Sequence, residues 1–492
     1  SLTGTGVTKE TLAALTAPVV IAHTKTSVCL KNNITSGGLK YGYTEGSGKT
    51  SADAAGWQDS PVFTGLTGNT EYTFYVKYTG SPDFYTYSGS DAKDKPSAGT
   101  AVMTDGAAFD AGYGSVTVKV SPESTDKIYV VYGNILTTEA FANTEKITLT
   151  GGSGSAPVTD NTVTVESGAT ANITTDGLYI DTSATSGSCA FMIRNGAVVN
   201  LTLKNENTFK SGEKAAGIGV PEDAALTVTK ESNGSVAATG VFYGAGIGGG
   251  NGAGGGVVTV SGGNVTAAGG TYAAGIGGGN GASGGTVTVN GGNVTATGGS
   301  DGAGIGGGHG GSGGTAKLSG GNVTATGKDI GAGIGGGMNG SGDMVEISGG
   351  SVAASGGEWG SGIGGGDGGS GGKVTVSGGI VTAVSDAGAG IGRGRSNNQA
   401  TVTGGTFSTG ENGCAVIAAS SISDQTGKTS TASPWSGLII EGTTGALYGT
   451  SVTPTADFTV PAGDTVSLGN DDAATQTLTV ASGITMTNNG TI

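Results

Sequence analysis

The sequence predicts an all-β protein in which a parallel β-helix follows a small β-sandwich, and two features of the larger part predict the helix. One is a glycine-rich unit, Gly-Ala-Gly-Ile-Gly-Gly-Gly with small variations. Its isoleucines lie 29 residues apart, with 28 in the last interval: Ile218, Ile247, Ile276, Ile305, Ile334, Ile363 and Ile391. A fixed period of this length is typical of a solenoid, in which each repeat forms one coil. The other is that each period contains three short runs in which apolar and polar residues alternate, as in half-buried strands.

The N-terminal part of the chain has no such period. Residues 1–14 are expected to be an N-terminal segment or linker, and residues 15–107 are expected to form the sandwich. Tyrosines and charged residues are common in this second range. Alternating runs such as residues 71–78, separated by turn residues, indicate antiparallel strands packed into two small sheets.

One segment of this part, residues 63–72, resembles a fibronectin type III domain. Leu66 and Tyr72 stand where that family has its corner leucine and tyrosine, and Trp57 stands where it has its core tryptophan. The resemblance implies a spacer or a binding module and no particular chemistry.

The β-helix is expected over residues 158–492, after a transition over residues 108–157 that contains its first strands. The repeats are regular over residues 215–405. Each coil is expected to have three strands and three turns. We expect a right-handed helix, because connections between parallel strands favour that hand.

One regular coil, residues 302–326, shows how alternation assigns the faces of the strands. The side chains expected to point inward are small or aliphatic: Ala303, Ile305, Ala316, Leu318, Val323 and Ala325. Lys317, Thr324 and Thr326 are expected to point outward. Because the period is fixed, each inward residue is predicted to stack on a similar residue of the next coil.

The turns of such a thin coil require positive φ repeatedly, and glycine adopts positive φ at little steric cost. Asn264, Asn293 and Asn322 follow Gly-Gly pairs at one of these turns. Stacked amides at this position predict a ladder of hydrogen bonds along the axis. The alternative is that asparagine occurs there because it tolerates left-handed backbone.

Composition and charge exclude several classes of partner. The net charge of −15, with only 12% charged residues, would repel a phosphate backbone, so nucleic acid is not an expected partner. No apolar run is long enough to span a membrane.

The chain begins at Ser1 without a signal peptide, which suggests a mature or excised fragment.

The three cysteines, Cys29, Cys189 and Cys414, are far apart and odd in number. This spacing predicts neither a disulfide framework nor a metal motif. We expect them to be small buried apolar side chains.

The β-helical part resembles the glycine-rich β-helix surface proteins of Gram-positive anaerobes, which are often classed as adhesin-like or carbohydrate-binding-domain proteins. The residues that carry the resemblance are 171–174, 199–203, 216–221 and the repeated glycine-rich units. That family also often carries fibronectin-like modules. The resemblance implies an extracellular, wall-attached location and does not name a ligand.

The position four residues before each repeat isoleucine varies in chemistry. It reads Tyr243, Tyr272, Asp301, Ile330, Trp359 and Ala387. Exposed aromatic rings beside carboxylates suit sugars, because rings stack on pyranose faces and acids accept hydrogen bonds from hydroxyls. We therefore predict a glycan-binding site formed by five residues: Tyr243, Tyr272, Asp301, Glu358 and Trp359. The alternative is that the aromatic rings fold over the glycine-rich turns and shield their backbone.

No catalytic residue, metal ligand or cofactor site is predicted. His309 lies in a glycine-rich turn where other coils have Asn280 or Asp367, and we expect it to be solvated. Only some repeats have an acid in that column, whereas the calcium rolls of nine-residue repeats need one in every repeat, so structural calcium is disfavoured. Lys317 and Glu346, in adjacent coils, are expected to form a surface ion pair.

These observations favour an extracellular adhesin-like rod that contacts a glycan or a surface protein of a host or neighbouring cell. One alternative is a structural stalk or filament subunit that associates with itself through its coil ends. Another is a polysaccharide-degrading enzyme. The regular coils lack the clustered acids and basic residue that a polysaccharide lyase would need, so we do not expect an enzyme.

Overall fold

The chain forms two compact units, Ser1–Thr150 and Gly151–Ile492, in the computed structural model of the protein. The structure describes residues 10–12, 14–31, 38–79, 85–87, 94–153, 156–395, 406–409, 414–419, 436–441, 443–448, 451–452, 457–460, 462–467, 477–480, 482 and 484–492. In the described part of the chain, no helix has the length and apolarity that a membrane crossing requires.

The first unit consists of short strands and one described 3-10 turn, Ser51–Asp53. Its strands are β1 (Glu10–Leu12), β2 (Val20–His23), β3 (Ser27–Leu30), β4 (Leu39–Glu45), β5 (Ala55–Gln58), β6 (Val62–Thr64), β7 (Glu71–Tyr78), β8 (Tyr85–Tyr87), β9 (Thr100–Met103), β10 (Ala107–Asp110), β11 (Val116–Ser121), β12 (Ser124–Tyr132), β13 (Leu136–Thr137), β14 (Phe141–Ala142) and β15 (Lys146–Thr150).

Two antiparallel sheets in this unit form the sandwich. One has the strand order β10-β2-β3-β6, and the other has the order β5-β4-β7-β9. Both contribute to one apolar core, which includes Val28, Leu30, Tyr41, Phe63 and Phe74. After the sandwich, β11 and β12 form an antiparallel hairpin, and β15 pairs in parallel with β10.

Tyr72 and Leu66 lie in this core, at 2% and 8% exposure, but Trp57 does not. Tyr41 and Tyr43 face the core, so Gly42 between them faces outward, and the Trp57 indole lies against it. The Trp57 ring is half-buried, with the Lys77 ammonium 4.4 Å from its centroid. The prediction of a core tryptophan is therefore wrong, because a glycine on the outer face of β4 leaves room for the indole there.

The second unit begins with the coils of the β-helix. Its strands through the last repeat are β16 (Val163–Val165), β17 (Thr170–Asp176), β18 (Tyr179–Asp181), β19 (Phe191–Ile193), β20 (Val198–Lys204), β21 (Glu206–Glu213), β22 (Ile218–Gly219), β23 (Ala225–Val228), β24 (Ser235–Val241), β25 (Ile247–Gly248), β26 (Val257–Val260), β27 (Asn264–Ala268), β28 (Ile276–Gly277), β29 (Thr286–Val289), β30 (Asn293–Thr297), β31 (Ile305–Gly306), β32 (Thr315–Leu318), β33 (Asn322–Thr326), β34 (Ile334–Gly335), β35 (Met344–Ser355), β36 (Ile363–Gly364), β37 (Lys373–Val384) and β38 (Ile391–Gly392).

Parallel pairing joins these strands into three stacks, one for each strand of a coil. The first stack is β16-β19-β22-β25-β28-β31-β34-β36-β38. The second is β17-β20-β23-β26-β29-β32-β35-β37. The third is β18-β21-β24-β27-β30-β33-β35-β37, because β35 and β37 continue through the turn that separates the second and third strands elsewhere. The prediction of a parallel β-helix with three strands per coil is confirmed.

The core of the β-helix is a column of stacked aliphatic side chains. The repeat isoleucines pair in register from coil to coil, and each is at most 1% exposed. Every residue that alternation assigned to the interior of the coil over residues 302–326 is buried, Ala316 being the most exposed at 4%. Lys317 and Thr324 are exposed and Thr326 is half-buried, as predicted.

The asparagine ladder is present. The Asn293 Nδ2 donates to Asn264 Oδ1 at 2.7 Å, and the Asn322 Nδ2 donates to Asn293 Oδ1 at 2.9 Å. These asparagines begin strands, and the positive φ belongs to the glycine before each: Gly263 (70°), Gly292 (78°) and Gly321 (74°). Tolerance of left-handed backbone therefore does not account for the asparagines.

The strand pairing becomes less regular after the last repeat. The remaining strands are β39 (Thr406–Thr409), β40 (Cys414–Ala419), β41 (Ser436–Glu441), β42 (Thr444–Tyr448), β43 (Ser451–Val452), β44 (Phe458–Val460), β45 (Thr465–Ser467), β46 (Thr477–Leu478) and β47 (Met486–Asn488). β39 and β40 extend the stacks on β37, and β41 pairs in parallel with β40. β42 then reverses and pairs antiparallel with β41, so the uniform parallel stack expected to residue 492 is interrupted there. Parallel pairing resumes beyond it, between β42 and β45, β43 and β46, and β44 and β47.

Candidate functional site

Two columns of residues run next to each other along one edge of the β-helix. The first is the predicted column, four residues before each repeat isoleucine, and the second lies four residues after it. Each second-column N–H donates to the carbonyl of a first-column residue in the preceding coil: Asn280 to Tyr243 (3.0 Å), His309 to Tyr272 (2.8 Å), Met338 to Asp301 (2.8 Å), Asp367 to Ile330 (2.9 Å) and Arg395 to Trp359 (2.7 Å). We call these ten residues the ridge. The backbone ladder of the solenoid thus brings the two columns together.

Two tyrosines stack at the N-terminal end of the ridge. The rings of Tyr243 and Tyr272 are nearly parallel, at 13°, and their centroids are 5.5 Å apart. Rings in flat contact are only about 3.5–4.0 Å apart, so this pair is offset and each ring leaves part of a face uncovered. Both side chains are half-buried. The predicted stacking of these positions is confirmed.

Phe242 extends this pair into an aromatic cluster of Phe242, Tyr243 and Tyr272. Its ring centroid is 6.1 Å from that of Tyr243, and the residue is 53% exposed. Its φ is +50°, a conformation that costs a bulky side chain about 1–3 kcal/mol. The structure thus holds an exposed aromatic side chain in a strained conformation.

Phe242 is not among the site residues that the sequence predicts. The signal was present, because the position five residues before each isoleucine is otherwise polar: Thr271, Ser300, Asp329, Glu358 and Asp386. Glu358 belongs to this column and is exposed, four coils away from Phe242. The structure therefore does not bring Glu358 to the tyrosine pair as the predicted site would suggest.

His309 joins the ridge through its side chain. Its Nδ1 lies 3.0 Å from Asp301 Oδ2, and its ring meets the Tyr272 ring edge to face at 6.0 Å. The expectation of a merely solvated turn residue is wrong, because the second column lies against the first. Asp301 is thus oriented by His309, directly beside the aromatic cluster.

Trp359 and Arg395 form the C-terminal end of the ridge. The Arg395 guanidinium carbon lies 5.2 Å from the centroid of the Trp359 indole. The Trp359 Nε1 is buried and finds no acceptor within the described part of the chain. Burial raises the pKa of Asp367 above its ordinary value, while the nearby Arg395 charge opposes that shift. This end therefore combines a half-buried ring with an exposed cation.

Two other predicted features lie away from the ridge. Lys317 and Glu346 form the expected ion pair at 3.6 Å, and both side chains are about half exposed. Cys29 is buried, as predicted, and Cys189 is half-buried, whereas the side chain of Cys414 lies outside the described residues. No three His, Cys, Asp or Glu side chains group into a metal site among the residues the structure describes.

Comparison with known families supports the fold. The family model for a beta helix repeat matches five segments, residues 232–251, 258–280, 287–309, 318–338 and 345–367. These segments include most of the ridge. The chain is a parallel β-helix protein. No curated protein and no solved structure matches this β-helix protein.

Proposed function

We propose that this β-helix protein is an extracellular surface protein of adhesin type, and that its ridge binds glycans. The observation that carries the proposal is the aromatic cluster, in which a strained, exposed Phe242 lies beside two offset tyrosine rings. An exposed ring contributes nothing to a core, and strain of this kind persists where the surroundings enforce it, often at binding sites. The proposal assigns no reaction to the protein.

The polar groups beside the cluster support a sugar as the ligand. Asp301 accepts hydrogen bonds, and His309 fixes its orientation at 3.0 Å. A carboxylate held next to aromatic faces matches a pyranose, which has apolar C–H faces and a rim of hydroxyls. The net charge of −15 disfavours polyanions, so we propose neutral or weakly charged glycans.

We also propose that the N-terminal sandwich is a fibronectin type III-like spacer. The support is a tyrosine corner: the Tyr72 hydroxyl accepts a hydrogen bond from the Thr67 backbone N–H at 2.9 Å. Such a module would separate the β-helix from a neighbouring domain or from the cell wall.

A glycan panel tests the main proposal. We expect the full chain to bind a subset of glycans, and the variants Tyr272→Ala and Phe242→Ala to lose about tenfold or more in affinity, as the loss of a stacked ring predicts. Tyr179→Ala is the matched control, because it removes a half-buried tyrosine from the same β-helix away from the ridge. Absence of binding to every glycan, or equal binding by all variants, would refute the proposal.

A further inference from the structure

The two aromatic ends of the ridge lie on one line along the β-helix. Tyr272 and Trp359 occupy the same column three coils apart, and the isoleucines next to them pair in register at every step. At about 4.8 Å per coil, the two rings are separated by about 14 Å along the axis, and Tyr243 lies about 19 Å from Trp359.

The side-chain chemistry of the surface between these ends changes from coil to coil. Next to Tyr272 are the hydrogen-bonded side chains of Asp301 and His309. The following coil contributes Ile330 and Met338, both half-buried and apolar. A ligand along the ridge would therefore meet rings, then a polar pair, then an apolar surface and then Trp359.

The height of one coil matches the repeat length of an extended sugar chain. One ring of an extended sugar chain is about as long as one coil is high, about 5 Å. A chain parallel to the axis would thus place successive rings over successive coils. Among glucose polymers, β-1,4-linked chains are extended ribbons with apolar faces, whereas α-1,4-linked chains coil away from a straight surface.

We propose that the ridge binds one extended chain of β-1,4-linked hexoses that lies parallel to the β-helix axis. Its rings contact the aromatic cluster at one end and Trp359 with Arg395 at the other. This inference rests on the proposed function, that the ridge binds glycans. It adds the class of the ligand, its direction, and a minimum length for contact with both ends. That length is about four rings from Tyr272 to Trp359, and about five if the chain also covers Tyr243.

Titration calorimetry on the full chain tests the inference with two probe series, β-1,4-linked glucose oligomers and β-1,4-linked N-acetylglucosamine oligomers, each from two to six rings. We expect affinity for at least one series to rise up to five or six rings. Trp359→Ala should lower affinity for the six-ring oligomer about tenfold and leave the two-ring oligomer unchanged. Tyr272→Ala should weaken both, and Tyr179→Ala should weaken neither.

Two controls separate misfolding from loss of binding. Thermal melts compare the fold of every variant with that of the wild type. Trp359→Phe keeps a ring at the position and should recover part of the affinity for the six-ring oligomer.

The results distinguish this inference from the proposal beneath it. Equal affinity for short and long oligomers, an equal effect of Trp359→Ala on both, or no binding to either series would overturn the axial chain. If Tyr272-dependent binding to other glycans then persists on the panel, the proposed function stands. If the panel also shows no binding, both fail.

Discussion

At the scale of single residues, the glycine after the repeat isoleucine is required for two separate reasons in five coils, at Gly248, Gly277, Gly306, Gly335 and Gly364. At Gly306 φ is +136°, outside the regions that side chains with a Cβ adopt. A Cβ there would also lie 2.0 Å from the carbonyl oxygen of Gly335 in the next coil. The constancy of the Gly-Ile-Gly unit thus follows from backbone geometry and close approach, not from ligand binding.

Replacing Gly306 by alanine should therefore destabilise the β-helix strongly. We expect Gly306→Ala to lower the free energy of unfolding by more than about 3 kcal/mol, because strain and overlap with backbone add. Gly310→Ala is the matched control: its φ is +70° and its Cβ would meet open space, so only about 1 kcal/mol is expected. Urea denaturation measures both, and similar losses for the two variants would contradict this account.

The cysteine thiols should be unreactive in the native state. Burial raises the pKa of Cys29 to about 12 and that of Cys189 to about 11, and the thiolate is the reactive form. In a Cys414→Ser variant, we expect iodoacetamide at pH 8 to label the native protein slowly and the unfolded protein completely.

The same pKa shifts set the direction of the pH dependence. Because the native thiols hold their protons more tightly than the unfolded ones, their contribution to stability is complete below about pH 9 and is lost as the pH rises toward 12. Rapid iodoacetamide labelling of the native Cys414→Ser variant at pH 8 would contradict these shifts, because it would require accessible, ionised thiols.

At the scale of the strand, the asparagine ladder links β27, β30 and β33 on the outside of the coil. Asn293 takes part in two amide hydrogen bonds, one as donor and one as acceptor. Asn322 donates one such bond, to Asn293. The side chains are exposed, so each bond is expected to contribute modestly.

Alanine substitutions at Asn293 and Asn322 measure how much the ladder contributes to the free energy of unfolding. We expect Asn293→Ala to lower the free energy of unfolding by about 1 kcal/mol, and Asn322→Ala to lower it by about half as much. Both variants make the same chemical change at the same place in a coil, so the difference in denaturation midpoint reports the number of bonds lost. An equal effect would mean that the ladder contributes nothing beyond strand propensity.

At the scale of the whole molecule, the solenoid is a stack of exchangeable coils whose register is fixed by alternation. Val289 pairs with Leu318, and Thr288 pairs with Lys317, one coil apart. Removing one full period should therefore leave every inward residue inward, whereas a deletion one residue shorter reverses the faces of the strand at the junction.

Two deletions test this register. Deleting residues 289–317, one 29-residue period, joins Thr288 to Leu318 and should give a folded protein one coil shorter. Deleting residues 289–316 joins Thr288 to Lys317, which places a lysine inward, and should abolish cooperative folding of that region. Circular dichroism melts compare the two. Equal stability would show that the turns absorb a one-residue shift.

How far the site was predictable depends on the kind of contact involved. Tyr243 and Tyr272 lie one period apart, so their stacking could be predicted from the sequence. His309 lies eight residues after Asp301 within one coil, and its contacts follow only once the coil path places the second column against the first. Trp57 and Phe242 depend on a facing glycine and on a local backbone angle, which periodicity does not encode.

By itself, the sequence determined the solenoid, its three strands per coil, its inward column and the stacking of the asparagines. It could do so because each of these is a local pattern repeated at one period, and parallel in-register stacking turns equal spacing into contact. The tertiary structure alone decided which columns meet across a turn, where Phe242 is held exposed, and where β42 reverses the chain. Those features arise from the path of the backbone between strands, which the turns set and which the alternation of side chains leaves open.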